Sequence, residues 1–292
     1  RDHEPTIRRI CHKLVADLVA KGGGDFVWDV AAPLPLLLIA DMLGFPPESY
    51  DDLLEWSDDM IRGTTRGDEA AAEKAMFAGI AFREFQLGVI ADRRSKPPQD
   101  DLVSILCYAD IDGERLDDES IIQESLLILI GGDETTRHVI SGGMLALIEH
   151  PDQRDRLAAH PEGMEVAVEE LLRWITPIKN MSRTVTKDVE LAGKQLHEGD
   201  QLILLYPSAN RDEAVFERPD ELDLTRHPNP HLAFGFGPHF CLGASLARLE
   251  LRVMFDEVLR QAPTLRLAEG TELPYRASNF IVGLEAMPVE VA

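Results

Sequence analysis

Three short stretches of this sequence carry residue types that could do chemistry. The first is Phe234-Gly235-Phe236-Gly237-Pro238-His239-Phe240-Cys241-Leu242-Gly243. Its cysteine opens a helical pattern that runs from Leu242 to Arg260. At a helix start the macrodipole and the free backbone N–H groups stabilise a thiolate. Gly235 and Gly237 let the preceding loop curl with its amides toward the sulfur, and Gly243 removes side-chain bulk where a flat group would lie against the helix. Such a thiol fits several chemistries. It could be a buried structural cysteine, the usual fate of a free thiol. It could be a nucleophile with a lowered pKa. Zinc would need three or four ligands, and no Cys-x-x-Cys pair supplies them.

The second stretch is Gly131-Gly132-Asp133-Glu134-Thr135-Thr136, two glycines and two acids inside an apolar helical run. The glycines weaken the helix locally. The Thr135 hydroxyl is placed to bond the Gly131 carbonyl four residues back and to open the ladder there. Glu134, an acid in apolar surroundings, is expected to have a raised pKa that would suit proton relay. A polar kink without chemistry explains the same pattern. The third stretch is Glu170-Leu171-Leu172-Arg173, whose charged ends share a helix face. Taken alone it is an ion pair of a common and weak kind.

Helices must carry most of these groups. Residues 6–20 already read as the middle of a helix, with Ile7, Ile10, Leu14, Val15 and Leu18 in period. Residues 68–94 are Ala-rich and stop before Pro97-Pro98. Asp117 to His150 is the longest candidate: it opens on two acids, and its centre, Ile121 to Ile130, is apolar on nearly all faces, so it should cross the core. Residues 163–175 form a further amphipathic helix. Short strands are expected at Thr184–Thr186, Val189–Leu191 and Gln201–Leu205. Residues 207–239 have no period, and a loop that long is usually functional. The fold class is therefore mainly α with small β-sheets, read as a single domain over residues 1–292.

Bulk properties narrow the partners. The 292 residues carry 29 Lys and Arg against 52 Asp and Glu, a net charge of -23. That balance argues against nucleic acid and against an anionic membrane surface. The three cysteines, Cys11, Cys107 and Cys241, suit a reducing cytoplasm better than a disulfide framework. The apolar run from Leu34 to Ala40 is too short to span a bilayer, and Arg1-Asp2-His3-Glu4 is too polar for a secretory signal.

The cysteine stretch fits Phe-x-x-Gly-x-His-x-Cys-x-Gly and resembles the signature loop of the cytochrome P-450 family. Gly131 to Thr136 resembles that family's oxygen-activation motif, and Glu170 to Arg173 its buried Glu-x-x-Arg pair, in the family's order. The resemblance covers essentially the whole chain, from Asp2-His3-Glu4-Pro5 onward. It implies haem b (iron protoporphyrin) held by Cys241 as the metal ligand, with Phe234, Gly235 and Gly243 against the ring. It implies Arg183 and His239 on the haem propionates. Glu134 and Thr135 become the catalytic proton relay. Glu170 and Arg173 become structural, completed by a later arginine, Arg218 or Arg226. The implied activity is a monooxygenase that inserts one atom of dioxygen into a C–H bond of an apolar substrate, with Leu127, Ile128, Gly131, Ile178 and Met181 lining the pocket. A separate electron donor of ferredoxin type is implied, docking near Cys241 where Arg248 and Arg252 would offer positive charge. Gly131 to His138 and Lys179-Asn180-Met181 look most like actinobacterial hydroxylases of the sterol side chain. Family members usually run about another hundred residues upstream, so this chain is expected to lack the N-terminal part of the fold. The competing reading is a non-catalytic remnant acting as a binding module. A peroxide-driven enzyme is a third, and Glu134 with Thr135 speaks against it.

Overall fold

The fold is taken from a computed structural model that describes residues 3–64 and 67–291, with residue 111 described by its backbone alone. Arg1 and Asp2 lie outside the described residues. The helices are α1 (Glu4–Lys21), α2 (Pro33–Leu43), α3 (Tyr50–Arg62), α4 (Glu69–Arg94), α5 (Leu102–Tyr108), α6 (Asp118–Glu149), α7 (Pro151–Ala159), α8 (Met164–Ile175), α9 (Tyr206–Ala209) and α10 (Ala244–Gln261). Their starts follow from local chemistry. The Asp68, Asp101 and Asp117 side chains accept the backbone N–H of Ala71, Ser104 and Ser120 at 2.9, 2.7 and 2.8 Å, capping α4, α5 and α6. Each cap satisfies a donor that the helix cannot bond itself.

The strands are β1 (Gly23–Asp25), β2 (Asp110–Ile111), β3 (Glu114–Arg115), β4 (Asn180–Thr184), β5 (Val189–Leu191), β6 (Lys194–Leu196), β7 (Gln201–Leu205), β8 (Arg266–Leu267) and β9 (Pro288–Glu290). All pairings are antiparallel: β1-β9-β8 form one sheet, and β2-β3, β4-β7 and β5-β6 form ribbons. The strand expected at residues 184–186 lies instead at 180–184. Its residues Asn180, Met181, Ser182, Arg183 and Thr184 alternate no apolar face, because this ribbon buries neither side deeply. The period-2 signal that marks a half-buried strand is therefore missing.

The 32-residue α6 crosses the molecule, about 48 Å at 1.5 Å per residue. Its two halves serve two apolar clusters. Val139, Ile140, Met144 and Leu147 join α1, α8 and α10; Ile121, Ile122 and Leu129 join α2, α4 and α5. Leu246 of α10 packs on both clusters. Helix α6 is continuous through Gly131 and Gly132, so the expected opening of its ladder does not occur. Gly132 has a packing reason: a Cβ there would lie 2.7 Å from the Ile39 side chain of α2.

Candidate active site around the cysteine loop

The cysteine loop is held by its own backbone. Cys241 donates its N–H to the Phe234 carbonyl at 3.0 Å, Gly235 to Leu232 at 2.9 Å, and Phe240 to Gly237 at 3.0 Å. Gly235 and Gly237 take φ of +73° and +76°, the left-handed region that glycine enters without strain. Cys11 and Cys107 are buried, whereas Cys241 is exposed. That separates Cys241 from a structural cysteine. Partial burial pushes its thiol above the ordinary value, and the Gly243 amide and the Arg248 charge oppose that. Among the described residues no base is bonded to the sulfur, which leaves the nucleophile reading without an activator. The sequence's His227 and His231 stand four apart, but among the described residues no group of three His, Cys, Asp or Glu gathers to hold a metal.

Behind this loop lies a buried hub. Glu170 and Arg173 of α8 are both fully buried. Arg173 meets Glu170 with two bonds, Nη2 to Oε1 at 2.7 Å and Nε to Oε2 at 2.8 Å. The completing arginine is Arg226, Nε to Oε2 at 3.1 Å, joined by Asn229 at 3.0 Å and the Asp223 N–H at 2.9 Å. Arg218 is exposed and pairs with Glu221 instead. Arg173 also donates to the carbonyls of Asn210, Pro219 and Glu221, at 2.8, 2.8 and 3.2 Å. Asn210, fully buried, accepts the Leu232 N–H at 2.7 Å and so links the hub to the cysteine loop. This is how the aperiodic residues 207–239 keep one shape.

On α6, the stripe Gln123, Leu127 and Gly131 is exposed and Thr135 is half-buried, while most neighbouring faces are covered. Thr135 Oγ1 donates to the Gly131 carbonyl at 3.1 Å, as its spacing implied. Glu134 departs from expectation. It is fully buried, and Oε2 accepts from Arg137 at 2.8 Å and from Arg276 at 2.7 Å, with His138 Nε2 at 3.6 Å. Burial alone would raise its pKa, but His138, Arg137 and Arg276 hold it below the usual carboxylate range. The raised pKa expected of an acid in an apolar helix is thus reversed, first by His138 and Arg137 one turn along the same helix and then by Arg276, 142 residues away in sequence. The network continues outward. Arg276 also meets Asp58 of α3 at 2.5 Å and Glu285 at 2.7 Å, and Arg62 closes the ring onto Glu285. The neighbour of Glu134 behaves oppositely. Asp133, fully buried, has only the Ser57 hydroxyl at 2.9 Å, with Oδ1 unpartnered, and burial next to Glu134 pushes it up to about 7.

Arg183 is exposed on β4, and its guanidinium donates to the Ser182 carbonyl at 2.8 Å with no carboxylate partner among the described residues. His239 is exposed in a single 3-10 turn, Gly237–His239. Ile178, bridged to Ile281, and Met181 on β4 are half-buried. Arg248 and Arg252 are not the free cations expected for a docking patch. Arg248 binds Glu169 with two bonds, 2.6 and 2.8 Å, and Arg252 binds Glu4 at 2.7 Å and Glu165 at 3.4 Å. Sequence reading missed Glu169, Asn210 and Arg276. The adjacent acids Glu169-Glu170 were the only local signal, and nothing local marks Arg276.

The residues fit a flat, apolar, thiol-ligated ring. Among the described residues the donor set is one thiol without co-ligands, which suits a metal whose other donors come with its own ring. A Cβ on Gly131 or Gly243 would meet nothing within 4 Å, which leaves room beside both helices. Leu127, Phe236, Phe240 and Leu242 expose 66, 83, 52 and 95% of their surface, an apolar area that a hydrophobic cofactor would cover. Arg183 is an unpaired cation suited to a carboxylate. Fold and site together define a haem-thiolate protein.

Comparisons with known proteins agree. The profile of the cytochrome P450 family matches residues 163–274. The chain is 49% identical over 289 residues to the steroid C26-monooxygenase of Mycolicibacterium smegmatis, covering 99% of this chain and 72% of that one. It is 42% identical over 293 residues to the methyl-branched lipid omega-hydroxylase of Mycobacterium bovis, covering 98% and 67%. Among solved structures, a Mycobacterium marinum cytochrome P450 in complex with pseudoionone superposes with a TM-score of 0.93 at 35% identity, covering 99% and 70%. A Bacillus megaterium cytochrome P450 in complex with testosterone gives 0.90 at 35%, covering 99% and 79%. The chain belongs to the cytochrome P450 family. Its cofactor is haem b, and its activity is that of a monooxygenase acting on an apolar substrate. No helix among the described residues is long and apolar enough to cross a membrane.

Proposed function

We propose that this chain forms one domain that binds haem through the Cys241 thiolate and hydroxylates the side-chain terminus of a steroid. The observation that carries the reading is the open stripe of α6. It is apolar at Leu127 and Gly131, bears a hydroxyl at Thr135, and lies in the middle of a helix whose neighbouring residues there are mostly buried or half-buried. Bound haem supplies the chemistry of dioxygen activation, and a thiolate ligand favours O–O cleavage. The residues of the chain do the rest. Phe234, Gly235 and Gly243 leave the ring a flat bed, and Arg183 and His239 bind its propionates. Leu127, Ile128, Gly131, Ile178 and Met181 exclude water and grip an apolar substrate. Thr135 Oγ1 presents a hydroxyl on the open stripe. Glu134 is held ionised with Oε2 taken up by Arg137 and Arg276, so its share of a proton relay falls to the second oxygen, Oε1, which has no partner among the described residues and would act as an acceptor of water protons rather than as an acid of raised pKa.

A ferredoxin-type protein in the cytoplasm is the electron donor. Three unpaired cysteines support that compartment. Support for the steroid comes from the names of the relatives at 49% identity. Titration of the haem-loaded protein with a sterol bearing an intact side chain, and with a methyl-branched fatty acid, tests the substrate. Spectral response and turnover under isotopically labelled dioxygen should favour the sterol, with one labelled atom at the chain end. A protein that ignores sterols and hydroxylates the branched acid would overturn the steroid reading.

A further inference from the structure

The pair Glu169–Arg248 is left over from the docking role that it does not fit. Glu169 stands on α8 beside the hub residue Glu170, and Arg248 on α10, one turn past Gly243. A half-buried surface pair normally contributes little. This one is bidentate and has a third member. Ala233 donates its N–H to His231 Nδ1 at 3.2 Å, so Nδ1 is the unprotonated nitrogen and Nε2 bears the hydrogen. Nε2–H then donates to Glu169 Oε2 at 3.1 Å. His231 is nearly buried, its side chain 3% exposed, which fixes the carboxylate and, through it, the arginine. Arg248 in turn lies 4.5 Å from the centre of the Phe234 ring, and the Phe234 carbonyl receives the Cys241 N–H at 3.0 Å. The guanidinium stands against the ring of the residue whose carbonyl anchors the Cys241 amide. The arginine is thus turned inward, onto the cysteine loop.

We infer that Arg248, locked by Glu169 and His231, is a positioning residue that holds Phe234 under the cysteine loop and sets the electron affinity of the thiolate-bound iron. The inference rests on the reading of Cys241 as the iron ligand. A fixed cation near the sulfur stabilises the reduced, more negative centre and raises its reduction potential. The carboxylate of Glu169 partly cancels that cation. Removing one partner or the other should therefore move the potential in opposite directions.

The test is equilibrium redox titration of the haem-loaded protein and of the variants Arg248→Met and Glu169→Gln. At fixed potential the reduced-to-oxidised ratio should fall about threefold to tenfold in Arg248→Met, tenfold being 59 mV for one electron. It should rise by about threefold in Glu169→Gln. A cation used only for docking would alter the rate of reduction by the donor and leave both potentials where they were. A purely structural pair would lower stability in both variants without opposite potential shifts. Either result overturns the inference. The carbon monoxide spectrum of each reduced variant keeps the two readings apart. A parent protein without the thiolate-type band removes the ligand assignment, whereas a normal band with unmoved potentials removes only the role of Arg248.

Discussion

Replacing Glu170 with alanine is the strongest single test of how the cysteine loop is held. Five hydrogen bonds converge on this carboxylate: two from Arg173, and one each from Arg226, Asn229 and the Asp223 amide. Removing it leaves Arg173, fully buried, with three backbone carbonyls and the rings of Phe216 and Trp174 but no carboxylate to balance its charge. Breaking a buried pair by deleting one partner costs about 3–5 kcal/mol, because the other charge stays desolvated. That is a large part of the roughly 5–15 kcal/mol that keeps a domain folded. Urea unfolding followed by circular dichroism, with the slope checked for change, gives the number. Glu170→Gln, which keeps the volume and one acceptor, should cost less. Arg218→Ala provides the contrast: its partner Glu221 is exposed, and the expected change is about 0–1 kcal/mol. A Glu170→Ala variant within 1 kcal/mol of the parent, by the same extrapolation, would refute the hub.

Other outcomes follow from the same geometry. Asp133 has a folded pKa pushed up to about 7, so the native state binds an extra proton between the ordinary aspartate value and 7, and stability falls as pH rises through that window. Asp133→Asn should remove the loss: its melting temperature should exceed the parent's at pH 8 and match it near pH 4, with an upper bound of about 4 kcal/mol for three pH units. Equal gains at both pH values would show that titration is not the cause. Glu134 and Asp58 are held below their ordinary values, so they contribute stability above the unfolded carboxylate pKa and lose it as pH falls through the folded one. Arg276→Gln weakens both pairs, and acid unfolding monitored by fluorescence should begin at higher pH. Gly132→Ala forces a methyl group to 2.7 Å from Ile39 and should cost about 1–3 kcal/mol, whereas Gly131→Ala meets open space and should gain up to about 1 kcal/mol of helix propensity. Equal melting temperatures for the two alanine variants would contradict the close α2–α6 approach.

What could be read from the sequence depended on range. Helices α6, α8 and α10 fell within two residues of expectation, because caps, apolar period and proline stops are local signals. The back-bond of Thr135 to Gly131 is likewise set by helical spacing. The choice of Arg226 over Arg218 was not legible, since both stand in the same polar loop and only the packed fold puts one under α8. The ionisation of Glu134 was misread for two reasons: Arg137 and His138, one turn on along the helix, were a local signal left unused, and Arg276 comes from a C-terminal segment that no local pattern announces. Arg248 and Arg252 looked like free charge because Glu169, Glu165 and Glu4 are distant in sequence and adjacent in space.

The most direct measurement is the spectrum of the reduced, carbon monoxide-bound protein, parent against Cys241→Ser, each loaded with haem. The parent should show the red-shifted Soret band of a thiolate ligand, and the serine variant should lose it while Cys11→Ser and Cys107→Ser keep it. An unaltered band in Cys241→Ser would mean that another residue holds the iron.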